Sequence, residues 1–523
     1  MAVTETTPPE APETGAADPA PARRSPGELE QLIGTGDHTA IGRLYIGFSL
    51  LLLVAALIAR VVTGLDAATD NGILGVYEAM VNTSSLVALV FLGVVPLLLG
   101  IATLVVPLQI GSPAIAFPRA AALAMWSWLV FGAVFVVSIA LDGGIAGGDY
   151  DAAALGNVSL GAVMVALGLG SVCVATTVVT HRPAGMSLAR VPLFAWSMLV
   201  ASVVWILTLG SAVAHSVVGH LAADSAPALL DNFATGLGWL LRAPAVYMLA
   251  IPVLGIAADA LSTATGRPLR NYGVFQGLIG AFAVFSFGAW AQTPASVNTV
   301  LWALWALVIF LPVLGLLGGL GESLRHGRVT PTAAVVGSFL GVVNLLGAGV
   351  VGLLMALDTA GEGTLFDFLP TQLATAQTVF VFTAALAGAL AGIAHWSRQV
   401  WGAPATDSLA AMSVGLVDVG GGLVATVLAI EVFVQAGGDD TANALFGGLE
   451  ALGGLLALVG VVGSLFAYLG AAREAEEGDQ EDVAPEGMTL EWQVPAPAVG
   501  GVRTTPVPVV ESPYPLYENP EEA

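Results

Sequence analysis

About 20 consecutive apolar residues are enough to cross a lipid bilayer as a helix, and from about Ile41 to Gly470 this chain is little else. Twelve such stretches can be counted. They run near 44–63, 81–106, 119–141, 159–180, 191–217, 237–258, 271–291, 299–320, 332–357, 373–394, 408–435 and 443–470. In hydrocarbon every backbone N–H and C=O must find a partner within the protein, so apolar runs of this length fold as helices. The expected fold is an all-α integral membrane bundle of twelve transmembrane helices. Charged residues make up 10% of the 523, against roughly a quarter in a soluble domain, which excludes an ordinary cytosolic enzyme. A formal net charge of -23 opposes nucleic-acid binding through phosphate neutralisation. Cys173 is the single cysteine, so no disulfide or cysteine cluster can form within the chain.

Residues 1–34 are rich in Pro, Ala, Glu and Thr and read as a disordered cytoplasmic tail. Residues 35–470 form the membrane domain, and 471–523 an acidic, Pro-rich cytoplasmic tail. Charge in the loops tests the helix count. With the N-terminus inside, the inner loops hold Arg182, Arg190, Arg267, Arg270, Arg325, Arg328 and Arg398. The outer loops hold no Arg; they carry acids such as Asp66, Asp142, Asp149, Asp231, Asp358 and Asp439. Such an asymmetry is the positive-inside pattern. It puts both termini in the cytoplasm, in a prokaryotic plasma membrane. No internal repeat points to an inverted-repeat transporter.

Four segments carry a resemblance. The exit of the second stretch reads V-P-L-Q-I-G-S-P-A-I-A-F-P-R, Val106 to Arg119. The sixth contains A-P-A-V-Y-M-L-A-I-P-V-L-G-I, Ala243 to Ile256, and the first opens D-H-T-A-I-G-R-L-Y-I, Asp37 to Ile46. The C-terminal tail contains M-T-L-E-W, Met488 to Trp492. Together these resemble subunit I of the haem-copper (cytochrome c) oxidases over roughly residues 35 to 515. The resemblance implies a fold of this kind, O2 reduction with proton pumping, two haems and a copper as cofactors, and partner subunits such as II and III.

The chemistry that the resemblance implies needs imidazole. The low-spin haem has two His ligands, the high-spin haem one, and the copper three, one of them linked to a Tyr. This chain has six His, at 38, 181, 215, 220, 326 and 395, all in loops or toward helix ends. Position by position, Ser85 stands for a low-spin haem ligand on the second helix. Ala376 and Thr378 stand for the tenth helix's ligands. Ala243, Gln292 and Thr293 stand for the copper ligands, while the linked Tyr is kept as Tyr247. The implied proton-input Asp is Ala114, the implied Lys of the eighth helix is Leu316, and the propionate-holding Arg pair is replaced by Ala436 to Asp440. Two propionates there would face carboxylates rather than guanidinium groups.

Other residues carry two readings each. Tyr247 is a packed core tyrosine or a redox residue. His215 and His220 diverge by ~140° around a helix of 3.6 residues per turn, which suits helix-end positions better than shared metal ligation. Asp418 lies well inside the eleventh stretch and Glu450 inside the twelfth. A carboxyl in the membrane is costly and is a functional candidate, or else a hydrogen-bonded packing residue. Asn344, in the middle of the ninth stretch, is an interhelical hydrogen-bond donor.

Three functions follow. The first is a non-catalytic structural or assembly subunit of a respiratory membrane complex, with no cofactor expected. The second is a redox subunit with unconventional haem ligation; haem and copper return if the family's activity holds despite the missing ligands. The third is a channel or carrier that reuses the emptied cavities, with Asp418 as its titrating group. Other membrane subunits and the lipid bilayer are the expected partners in the first case.

Overall fold

The computed structural model describes residues 33–517 except 70–71, 224, 226–227, 230–239, 242–243, 289–291, 294–295, 298, 327–328, 330, 361–368, 406, 437–442, 478–486 and 504–505. Ala243, the Ala436–Asp440 replacement beyond Ala436, and nearly all of the N-terminal tail lie outside the described residues. Gly36–Ala523 is one unit and Met1–Thr35 another.

Among the described residues eleven helices are long and apolar enough to cross a membrane. In chain order the first is α1, His38–Ala67. The second span, Gly75–Gln109, is built of α2 (Glu78–Ala88), a π-helical turn (Leu89–Val94) and α3 (Val95–Gln109). Then follow α4 (Pro118–Ala140), α5 (Tyr150–Thr180), α6 (Leu193–Ala222) and α7 (Pro244–Thr265). After α8 (Tyr272–Ser286) come α9 (Thr299–His326), α10 (Ala333–Ala360) and α11 (Leu369–His395). The short α12 (Ser397–Trp401) leads to α13 (Asp407–Ala436) and α14 (Asn443–Glu477).

Eleven of the twelve expected spans have a counterpart of that length among the described residues, and the seventh does not. The stretch near 271–291 forms α8, which has 15 residues and is about 22 Å long at 1.5 Å per residue, short of a ~30 Å hydrocarbon core. Beyond it Gln292–Thr293 and Ser296–Val297 pair as a two-residue antiparallel hairpin. The α-helical hydrogen bonding ends at Ser286, where the Phe287 N–H turns back to Val284 O. Gln292 and Thr293, expected to close the seventh helix, are therefore on extended backbone.

The second span runs through the middle of the bundle and is buried from Leu89 to Ile110. Its π-helical turn has a covalent cause. Pro96 has no N–H, the Val95 N–H reaches back five residues to the Val90 carbonyl, and the Phe91 carbonyl instead accepts from Trp128 Nε1 of α4 at 3.1 Å. The outer helices present apolar surface as lipid-facing helices do: Leu123, Val130 and Val137 of α4 are exposed. Helices α13 and α14 cross with almost no gap. A Cβ on Gly420 would sit 2.5 Å from the Gly453 carbonyl, and one on Gly453 2.6 Å from that of Gly420.

The described part of the C-terminal tail packs back on the bundle. Leu490, Glu491, Val510 and Tyr514 are buried. Arg43 of α1 donates to the carbonyls of Val400 (2.7 Å) and Ala498 (2.6 Å), and Val510 N–H donates to Ala184 O (3.0 Å).

Candidate functional site

Between α1, the second span, α11, α13 and α14 lies a cavity of about 330 Å³. One end gathers Arg60 of α1, Thr83 of α2 and Thr375 of α11; the other is closed by Leu386 and Val417. Helix direction fixes these ends. Gly64 of α1 meets Ala451 of α14, so the C-terminal end of α1 and the N-terminal end of α14 lie together. Arg60 donates to Asn82 Oδ1 and is attracted by Glu450 of α14. The rest of the lining is mostly apolar.

Of the positions assigned to haem ligands, Thr378 lines this space and Ser85 and Ala376 lie outside its lining; all three are taken up by helix packing. Thr378 lines the cavity, but its single hydroxyl proton is shared between Ala374 O (2.8 Å) in its own helix and Leu241 O (3.1 Å). Ser85 is buried and donates to Asn82 O at 2.9 Å. Ala376 is buried in a small apolar cluster with Val351, Met355 and Val432. Tyr247 is half-buried, its ring 5.9 Å from that of Phe282. Among the described residues the lining offers hydroxyls and one guanidinium but no imidazole, thiolate or thioether. Such a donor set does not fit a haem that needs axial His, Met, Cys or Tyr.

A second polar pair lies in the membrane interior. Asn344 Nδ2 of α10 donates to Asp418 Oδ1 of α13 at 2.9 Å, and to Leu340 O at 3.2 Å. Asp418 Oδ2 is buried with no hydrogen-bond partner among the described residues.

A third cluster sits where α3, α6, α7 and the tail meet. Helix α6 starts after Pro192 with no side-chain cap, which leaves its first N–H groups to find partners. Asp259 Oδ2 accepts from Phe194 N–H and Gln109 Oε1 from Ala195 N–H, both at 3.1 Å. Gln109 Nε2 in turn donates to Asp259 Oδ2 (2.9 Å) and to Glu491 Oε1 (3.1 Å). Glu491 Oε1 also accepts from Thr489 Oγ1 (2.8 Å) and Trp396 Nε1 (3.3 Å). Burial pushes the Glu491 carboxyl above its ordinary range, and the hydrogen bonds from Gln109, Thr489 and Trp396 partly offset this. Burial also lowers the Arg503 guanidinium, against the pull of Glu491.

Sequence reasoning missed this cluster. Its signal was Asp259, a carboxyl in an apolar run; the expected sixth span stopped at residue 258, one short, while the helix continues to Thr265. Arg60 lies near the end of the first apolar stretch, and only the three-dimensional crossing of α1 with α14 makes it part of a cavity lining.

The fold and these sites define a multispan helical membrane protein with its polar groups gathered between helices. The profile of the family described as Cytochrome C and Quinol oxidase polypeptide I matches residues 40–436, and the chain belongs to that family, the haem-copper oxidase subunit I family. It is 28% identical over 320 residues to the Probable cytochrome c oxidase subunit 1-beta of Nocardia farcinica, covering 55% of this chain and 53% of that one. It is 25% identical over 407 residues to Quinol oxidase subunit 1 of Bacillus subtilis, covering 71% and 61%. The Heme-copper oxidase subunit I+III of Aeropyrum pernix is 26% identical over 412 residues, covering 72% and 49%. The chain thus spans about half to three-fifths of the length of these relatives.

Proposed function

We propose that this chain is a subunit I-type membrane scaffold without the oxygen-reducing centre, serving as a structural or assembly subunit of a respiratory membrane complex. The observation that carries this reading is at Thr378, whose hydroxyl is committed to Ala374 O and Leu241 O. A side chain held in this way serves helix packing and not an iron. Ser85 and Ala376 are likewise absorbed into the helices around them. Family membership supports an environment among other membrane subunits, and the printed name of one relative joins subunits I and III in one chain. On this reading Tyr247 is a packing residue, both termini are cytoplasmic, and the membrane is the prokaryotic plasma membrane.

Purification of the tagged full chain from its native membrane in mild detergent tests the proposal. Oxidase-type subunits should co-purify in fixed ratio, and deletion of the chain should lower the amount of that complex. A chain that purifies alone and whose deletion leaves respiratory complexes intact would contradict it.

A second reading rests on Asp418, whose Oδ2 has no partner in the membrane interior. A titrating carboxyl of that kind suits a channel or carrier. Proton or cation flux in liposomes that is lost in Asp418→Asn favours this reading; full flux in that variant removes Asp418 from it.

A further inference from the structure

We infer that the cavity between α1, α11, α13 and α14 is a binding site for one uncharged, chain-bearing membrane molecule with a carbonyl oxygen in its head. The inference rests on the reading above, that no haem occupies this space. Protein interiors leave few voids larger than a water molecule, yet this one measures about 330 Å³, within the range of ligand sites. An apolar cavity of even ~150 Å³ stays free of water and accepts apolar guests. The hydroxyls of Thr378 and Thr383 are bonded to carbonyls of their own helix, so these threonines offer the cavity little hydrogen bonding. Hydrocarbon fills such a space better than water, and the bilayer supplies it.

The polar end specifies the head. Arg60 is the only cation in the lining, and its fan of N–H donors exceeds what Asn82 Oδ1 can accept. Glu450 precedes Ala451, the residue of α14 that meets Gly64 of α1, so a carboxyl stands near this end. A neutral head with an accepting oxygen can take the spare guanidinium N–H donors, whereas a carboxylate or phosphate would bring a second acid group toward Glu450. From Thr375 to Leu386 the cavity follows eleven residues of α11, about 16 Å at 1.5 Å per residue. That length accommodates a chain pointing from Arg60 into the apolar end. Isoprenoid quinones and glyceride esters both have this chemistry.

The test uses the full chain in a maltoside detergent. An absorption spectrum comes first, then delipidation and titration with decylubiquinone and, separately, monoolein, followed by native mass spectrometry. We expect no haem band and one molecule bound per chain, and the preferred probe identifies the source. Arg60→Leu removes the donor to the head and should weaken binding about ten- to a hundredfold, the effect of losing a charge-assisted hydrogen bond. Val379→Phe fills the lining from α11 and should abolish binding. Both variants are compared with the wild type in helicity and elution volume; where Arg60→Leu does not fold, Arg60→Gln replaces it, and Val379→Phe decides the location independently. Absence of binding by either probe, or binding unchanged in Val379→Phe, overturns the inference while the proposed function stands. A haem band overturns both.

Discussion

Gln109 uses both ends of its amide, capping α6 with its oxygen and joining Asp259 to Glu491 with its nitrogen. It thereby ties two of the segments that carry the family resemblance, Val106–Arg119 and Met488–Trp492, while Arg43 of a third, Asp37–Ile46, holds the tail farther on at Ala498. These segments are thus where side chains hold the tail to the bundle. Glu491 makes this junction sensitive to pH. Its folded-state pKa is raised, first by burial, so the stability it contributes is fully present below the ordinary glutamate range and is lost as pH rises through the raised value. Limited proteolysis of residues 487–517 should accordingly speed up as pH rises above the ordinary glutamate range, and Glu491→Gln should flatten that dependence. A second prediction concerns Asn344. Asn344→Leu strands the remaining oxygen of a buried carboxyl that already has one unpaired, and should destabilise the protein by about 1–3 kcal/mol, read as a lower thermal midpoint. In Asn344→Leu/Asp418→Leu most of that loss should return, because removing both partners is nearly neutral. Asp418, Glu450 and Asn344 were legible in the sequence because polar residues stand out in apolar runs. Asp259 was lost at a span boundary, and the pairing of Asn344 with Asp418, 74 residues apart, is a property of packing alone.

At the scale of elements, length and hydropathy located the membrane helices well, because the bilayer sets both. Local backbone departures were not visible in that signal. The π-helical turn at Leu89–Val94 depends on Pro96 and on a tryptophan of another helix. The end of α8 at Ser286 and the hairpin that pairs Gln292–Thr293 with Ser296–Val297 fall inside and just beyond one continuous apolar stretch. Trp128→Phe should leave the Phe91 carbonyl without its side-chain donor and destabilise the fold by about 1–3 kcal/mol, measured by the thermal midpoint in detergent. Glycine substitutions separate close crossings from open positions. Gly420→Ala drives a Cβ into the Gly453 carbonyl and should lower the midpoint. Gly415→Ala, on the same helix with nothing within 4 Å of its Cβ, should raise stability by about 0.5–1 kcal/mol. A similar loss in both variants would argue against the tight α13–α14 crossing.

For the whole molecule, the family resemblance and the helical bundle agree, and the chain belongs to the haem-copper oxidase subunit I family. Its chemistry does not follow from membership. Six histidines in 523 residues, placed away from the ligand positions, leave the inner cavity lined by hydroxyls, methyl groups and one guanidinium. The placement of the six histidines was legible residue by residue, since a histidine is either present at a position or not. The cavity itself was not legible, because its shape depends on how α1, α11, α13 and α14 cross. The measurement that bears most directly on the central claim is an absorption spectrum of the purified, detergent-solubilised full chain. It would be taken oxidised and dithionite-reduced, with iron and copper determined on the same sample. The account predicts no Soret band and no stoichiometric iron or copper. A Soret band with about one iron per chain would contradict it, and would direct the search to Met, Cys173 or a displaced His as the axial ligand.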